Sequence, residues 1–584
     1  MNSDDDEFKI LLGRISNRGR SESFVNQVLR AMRKAGHEGS AAGNRGAPRY
    51  GRSTFGRGRT AFGRSRLFTA QRRVVVKARV VQHRGRAFRS APLSAHVAYL
   101  ERDGVTRGGE KAHVFSATED RADAMAFAGR GLDDRHHFRF VVTPEDAAEM
   151  TDLKAFTRDL AAQMESDLGT RLDWVAIGHW NTDNPHVHLL VRGVAENGSD
   201  LVISRDYISH GLRSRAEDLV SAELGPKPEH EIRSALEREV GAERWTRLDV
   251  AIRMAADDTG FIDLRPDQHG ADDPEVRRLA IGRLQKLGRM GLAAAAGPSQ
   301  WMVGLDAERT LRDLGMRGDI IKTMHRAFTE RGQDRGIADY VIDSGTALSP
   351  IIGRLVATGL HDELTAEAYA VIDGTDGRAH HVRFRGIEAF AHAPPAGGIV
   401  EVRQFGSPGD PRPTLVLASR SDIDLDRQVT APGATWLDYR LVERERMPLA
   451  MGGFGQEVRD ALAARAEHLA AEGLAHRQGP RTVPQRDLLA TLRRREVDAA
   501  GARLSAETGL PYRPTAGGEM VAGTYRQRLT LTSGRFAMID NGLGFALVPW
   551  TPALDRHLGH HVAGVAKESG GIEWSFGRRR GLEI

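Results

Sequence analysis

The sequence contains no cysteine in 584 residues. That excludes a disulfide framework and any thiolate metal site, so an ion could be held only by histidine and carboxylate groups. Long apolar runs are missing too. None approaches the roughly 18 residues of a membrane span, and the acidic opening Met1-Asn2-Ser3-Asp4-Asp5-Asp6-Glu7 lacks the apolar segment of a signal peptide. A cytoplasmic protein without membrane insertion is expected. HExxH, GxSxG and GxxxxGK followed by Ser or Thr are also absent, which leaves no signature of a zinc protease, a serine hydrolase or a P-loop nucleotidase. Acidic residues disappear between Glu38 and Glu101 while arginines recur. Such a block, with no amphipathic apolar face beside it, suits nucleic acid before membrane, or serves as a solvated linker.

The chain is long enough for roughly three to five domains. Residues 36–70 hold too few large aliphatics to offset chain entropy, so 1–72 is expected to be basic and largely disordered. Residues 73–240 alternate strand and helix patterns and are expected to form an α+β domain, an antiparallel sheet with flanking helices. Residues 241–335 read as a helical domain, where a helix from Pro274 to Leu287 precedes a two-strand wing ending in Ser299-Gln300-Trp301-Met302-Val303, a pattern that resembles a winged-helix module and equally suits an ordinary helical packing unit. Short strands with Gly and Asp turns over 336–430 suggest a small β-barrel-like domain. Residues 431–584 read as a C-terminal α+β domain, and no internal repeat is evident.

One stretch organises the rest. Trp174-Val175-Ala176-Ile177-Gly178-His179 and His186-Val187-His188-Leu189-Leu190-Val191 are short apolar runs flanking a polar loop, a hairpin pattern of the longer-loop kind. In simple register His179 lies opposite His186, and strand alternation puts His188 on the same face. Three imidazoles then converge, a set that suits a divalent first-row ion and leaves positions open for water or substrate. Upstream, Ser94 to Gly104 reads as a helix with Val97 and Leu100 as its buried stripe, while His96, Tyr99 and Asp103 share another face.

The His-x6-His-x-His pattern with Asp-Asn-Pro in its loop resembles the third motif of conjugative relaxases in the HUH endonuclease superfamily. Ala98-Tyr99-Leu100-Glu101-Arg102-Asp103-Gly104 resembles the tyrosine motif of the mobilisation type. The resemblance covers roughly residues 74–230. It implies an HUH-type sheet and a metal-dependent nickase acting on single-stranded DNA at a transfer origin, with a 5′-phosphotyrosyl intermediate. Tyr99 would be the nucleophile, His96 a proton acceptor, and His179, His186 and His188 the ligands of Mg²⁺ or Mn²⁺. A carboxylate commonly orients one such histidine; Asn181 stands where related motifs often have Asp, and Asp183 is the substitute candidate. Arg102 and Arg192 are candidate DNA contacts, and a type IV secretion coupling protein is the implied partner. Two other readings stay open. One is a replication initiator or transposase of the same superfamily, in which Tyr207, after the histidines, would attack; the other is a non-catalytic DNA-binding accessory protein.

Overall fold

The computed structural model describes residues 67–83, 92–103, 106–180, 184–266, 273–333, 335–342, 350–362, 364–365, 367–405, 414–445, 447–479, 481–567 and 570–576. Most of the basic N-terminal segment lies outside the described residues. The chain divides into two compact units, residues 1–319 with 362–365, and residues 320–361 with 366–584.

In the first unit, β1 (Val74–Gln82) leads to α1 (Pro92–Asp103), α2 (Ala124–Arg130), β2 (His136–Pro144), α3 (Leu153–Leu168), β3 (Trp174–His179), β4 (His186–Arg192) and α4 (Leu212–Leu224). The strands form one four-stranded sheet in the order β1-β2-β4-β3, every pairing antiparallel. Period-two alternation gives it two distinct faces. Val74, Val76, Phe138, Phe140, Val142, Trp174, Ala176, Val187, Leu189 and Val191 turn one way and join the apolar stripes of α3 and α4 in a single core. Asp152 caps α3, accepting from the Lys154 amide, and Gly169 ends it with a φ of 68°. His137, Arg139, Val141, His186, His188, Val175, Ile177 and His179 turn the other way, beneath α1, whose Leu93, Val97 and Leu100 are buried. Behind β4, Gly193 is required, because a Cβ there would sit 2.1 Å from the His136 carbonyl oxygen.

Downstream lie α5 (Glu229–Gly241), α6 (Arg247–Ala255), β5 (Phe261–Asp263), α7 (Pro274–Arg289), β6 (Ala293–Gly297), β7 (Gln300–Val303) and α8 (Ala307–Thr329). The β6–β7 hairpin falls where a wing was expected, with β5 adding a third strand to β7.

The second unit corrects the expectation of a barrel-like domain. Strands β8 (Tyr340–Ile342), β9 (Ile351–Asp362), β10 (Glu367–Gly374), β11 (Ala379–Phe384), β12 (Ile399–Phe405) and β13 (Thr414–Ser421) form an open six-stranded sheet in the order β13-β12-β9-β10-β11-β8. Its edge strands do not meet. Closure is unnecessary because both faces are covered: Ile320, Met324 and Phe328 of α8 pack on Val356, Val371 and Ala379, while Phe390 packs among Ile372, Val382, Phe384 and Val400 on the other side. The architecture is mixed α+β throughout. The unit continues through α9 (Leu425–Val429), α10 (Trp436–Val442), α11 (Gly453–Ala471), the hairpin β14 (Ala475–Gln478) and β15 (Arg481–Pro484), and α12 (Leu488–Thr508). It ends in an open five-stranded sheet built from β16 (Met520–Leu531), β17 (Gly534–Asp540), β18 (Phe545–Pro549), β19 (His561–Ala566) and β20 (Ile572–Ser575). Among the described residues, no helix is long and apolar enough to cross a membrane.

Candidate metal centre

His179 pairs with His186 across the hairpin, and His188 pairs with Ile177 on one side and Val141 on the other. Because His186 and His188 alternate with the core-facing Val187, all three histidines stand on the face opposite the main core. Each is buried, and each offers one ligand atom within 4.8 Å of the others. Ring centroids are 4.5 Å apart for His179 and His188, 5.0 Å for His186 and His188, and 5.4 Å for His179 and His186. This cluster could coordinate a metal ion.

Hydrogen bonds assign the protons. His186 Nδ1 donates to the Asn184 carbonyl at 2.9 Å, which leaves Nε2 as the lone-pair atom, and that atom is 3.2 Å from His188 Nε2. Two ring nitrogens so placed share either a proton or a cation. His179 Nε2 donates to the Leu100 carbonyl at 3.3 Å. The support of the ring nitrogens therefore includes backbone carbonyls, a role that carboxylates or carbonyls both fill in histidine metal sites. Asp183, the expected carboxylate, and Asn181 lie outside the described residues.

The contact with Leu100 joins the cluster to α1. His96, on the same helix, is 2 % exposed. Burial first, then the nearby Arg139, holds its pKa well below the usual histidine range, so it is neutral at pH 7. Its Nδ1 has no hydrogen-bond partner among the described residues. Tyr99 lies on α1 between His96 and Leu100, and Arg102 one turn later; both side chains are outside the described residues.

Two other groups on this face were not anticipated. Arg139 Nε donates to His137 Nε2 at 3.0 Å, and His137 Nδ1 is 2.7 Å from His83 Nε2, a partly buried relay from β2 to the residue that follows β1. Alternation along β2, which puts His137, Arg139 and Val141 together, is the signal that could have found them.

Arg192 stands four residues beyond His188, about 13 Å along the strand. Its guanidinium is held by Asp134 through two bonds of 2.7 and 2.8 Å and by Asp173 at 3.0 Å. Burial pushes the Asp173 carboxyl up, but bonds from Arg130 and Arg192 outweigh it and hold it below the ordinary carboxylate range. Tyr207 lies in the core on the opposite face of the sheet from the histidines. Its hydroxyl donates to Asp167 at 3.0 Å, and Asp167 also receives two bonds from Arg215. Burial, reinforced by the Asp167 charge, raises its pKa far above the ordinary tyrosine value.

No curated protein matches the chain. Residues 280–414 and 412–583 match a family model described as "Protein of unknown function (DUF3363)", a region that begins after the histidine centre. Since that match extends over more than half of the sequence, the chain belongs to the DUF3363 family of proteins of unknown function.

Proposed function

We propose that this chain is a metal-dependent DNA nickase of the HUH superfamily, acting as a mobilisation-type relaxase on one strand of a plasmid or mobile-element transfer origin. The observation that carries the reading is the bond from His179 to the Leu100 carbonyl, which sets the residue next to Tyr99 against the histidine centre across 79 residues of sequence. A divalent ion held by His179, His186 and His188, Mg²⁺ or Mn²⁺ in this reading, would supply Lewis acidity to the scissile phosphate.

The remaining chemistry belongs to side chains. A phenol with an ordinary pKa of about 10 must lose its proton as it attacks, and neutral His96, three residues before Tyr99 on the same helical face, is the acceptor. Tyr99 Oη forms a bond to phosphorus, the bond to the 3′ oxygen breaks, and the proton passes on to that oxygen. The products are a 5′-phosphotyrosyl ester and a free 3′-hydroxyl; one ester replaces another, so no nucleoside triphosphate is consumed. The partners in this reading are single-stranded DNA and a type IV secretion coupling protein, and the location is cytoplasmic. Tyr207 is a poor nucleophile on this account, being buried on the far face and tied to Asp167.

Purified protein incubated with Mn²⁺ and single-stranded DNA from the intergenic region beside its own gene should form an adduct stable to denaturing electrophoresis. Tyr99→Phe should bind that DNA and form none. Adduct from Tyr99→Phe but not from Tyr207→Phe would favour the replication-initiator reading, and none from any form on several DNAs would favour a binding protein.

A further inference from the structure

Residues 246–312 and 435–493 share a sparse set of identities. Glu275-Val276-Arg277, Arg283, Leu287, Gly291-Leu292-Ala293 and Gly297-Pro298 recur without a gap as Glu457-Val458-Arg459, Arg465, Leu469, Gly473-Leu474-Ala475 and Gly479-Pro480. On either side, Thr246-Arg247-Leu248-Asp249 answers Thr435-Trp436-Leu437-Asp438, and Thr310-Leu311-Arg312 answers Thr491-Leu492-Arg493.

The hydrogen bonds repeat residue for residue. Thr246 with Asp249, and Thr435 with Asp438, form capping boxes at the starts of α6 and α10. The capping aspartate then takes a fully buried arginine: Arg283 bonds Asp249 at 2.8 and 2.9 Å, and Arg465 bonds Asp438 at 2.8 and 2.9 Å. Each arginine also donates to the carbonyls two, four and six residues before its capping threonine. These are Arg244, Ala242 and Val240 in one case, and Gly433, Ala431 and Val429 in the other. After the arginine helix, Gly291 and Gly473 turn with φ of 74° and 70°. The Leu292 and Leu474 amides then reach back to Leu287 and Leu469 at 2.9 and 2.8 Å, and the Gly304 and Gln485 amides bond the Leu292 and Leu474 carbonyls at 2.9 Å each.

We infer that these segments are two copies of one module, and that the first copy carries a contact surface for the phosphates of duplex DNA while the second does not. The scaffold is shared but the outward row of its arginine helix has diverged. On α7 the exposed row is Arg278, Gln285 and Arg289; at the matching positions α11 exposes Asp460, Glu467 and Ala471. These positions, seven and eleven residues on from the first, lie along one helical stripe. Arg278 makes a surface ion pair with Glu237 at 3.1 Å, which water and salt weaken enough for a phosphate to replace it. A row of two cations attracts a polyanion, and a row of two anions on an identical frame repels it. The choice of DNA as occupant rests on the nickase reading given above; the duplication does not.

The test grafts one row onto the other in the full chain. Arg278→Asp, Gln285→Glu and Arg289→Ala together should weaken binding to a random-sequence duplex about tenfold and flatten the slope of log affinity against log salt by about 2. The reciprocal Asp460→Arg, Glu467→Gln and Ala471→Arg should steepen it. All six side chains are exposed, so melting temperature should be unchanged in both. An unchanged slope in both grafts would overturn the assignment. Adduct formation on a short single strand, measured on the same proteins, reports separately on the nickase: lost slope without any adduct would sink the nickase and leave the duplex surface standing.

Discussion

At the scale of single residues, the face of the sheet beneath α1 collects imidazoles that cannot charge without cost. Burial, then neighbouring Arg139, depresses the pKa of His137 well below the ordinary histidine value, and burial lowers His83 as well. In the unfolded chain these groups take up protons near about pH 6.5, while in the folded protein they do so only at lower pH. The unfolded state therefore binds more protons as pH falls, and stability present above pH 6.5 is lost progressively below it. Each deeply depressed histidine should lower stability progressively as pH falls below about 6.5, by at most about 1.4 kcal/mol per pH unit. Urea unfolding of His137→Gln at pH 7 and pH 5 checks this. The drop between the two pH values should shrink by about one histidine's share relative to the wild type; an undiminished drop would place the sensitivity elsewhere.

At the scale of elements, the histidine hairpin and the helices were legible because their periods are local. Alternation from Trp174 to His179 and from His186 to Arg192 placed the three imidazoles on one face, and the stripe Leu153, Phe156, Leu160 and Met164 is the buried side of α3. What supports the imidazoles was not legible. The Asn184 and Leu100 oxygens belong to the backbone, and no residue type announces a carbonyl brought in from another element. Nor was the repeat, since its identities are sparse and the aspartate-to-arginine spacing is 34 residues in one copy and 27 in the other. The repeat carries its own prediction. Arg283→Met and Arg465→Met each leave a buried aspartate uncompensated, so each should destabilise its unit by about 3–5 kcal/mol, with partial recovery when Asp249 or Asp438 is also made apolar. Chemical denaturation of the four variants reads this out; a negligible effect for either arginine would mean that the two pairs do not play the same part.

At the scale of the whole molecule, the sequence marked out a mixed α+β chain but misjudged the sheet over 336–430. Short strands with Gly and Asp turns are common to barrels and open sheets. Whether the edges meet depends on what covers the faces, and here that is decided by α8, which precedes the strands, and by Phe390, in the connection between β11 and β12; neither is announced by the strand pattern itself. The family match begins beyond the histidine centre, so the account of function stands on the first unit alone. Its central claim is that the three histidines and the tyrosine helix form one reacting centre. The most direct test follows the rate of covalent DNA adduct formation while Mn²⁺ is titrated into wild type and into His186→Ala/His188→Ala, with Mn²⁺ affinity measured by calorimetry on the same samples. The wild-type rate should saturate at the calorimetric midpoint, and the double variant should neither bind the ion there nor form adduct at a comparable rate. Equal adduct rates in wild type and double variant, or in the presence of excess chelator, would contradict a single reacting centre.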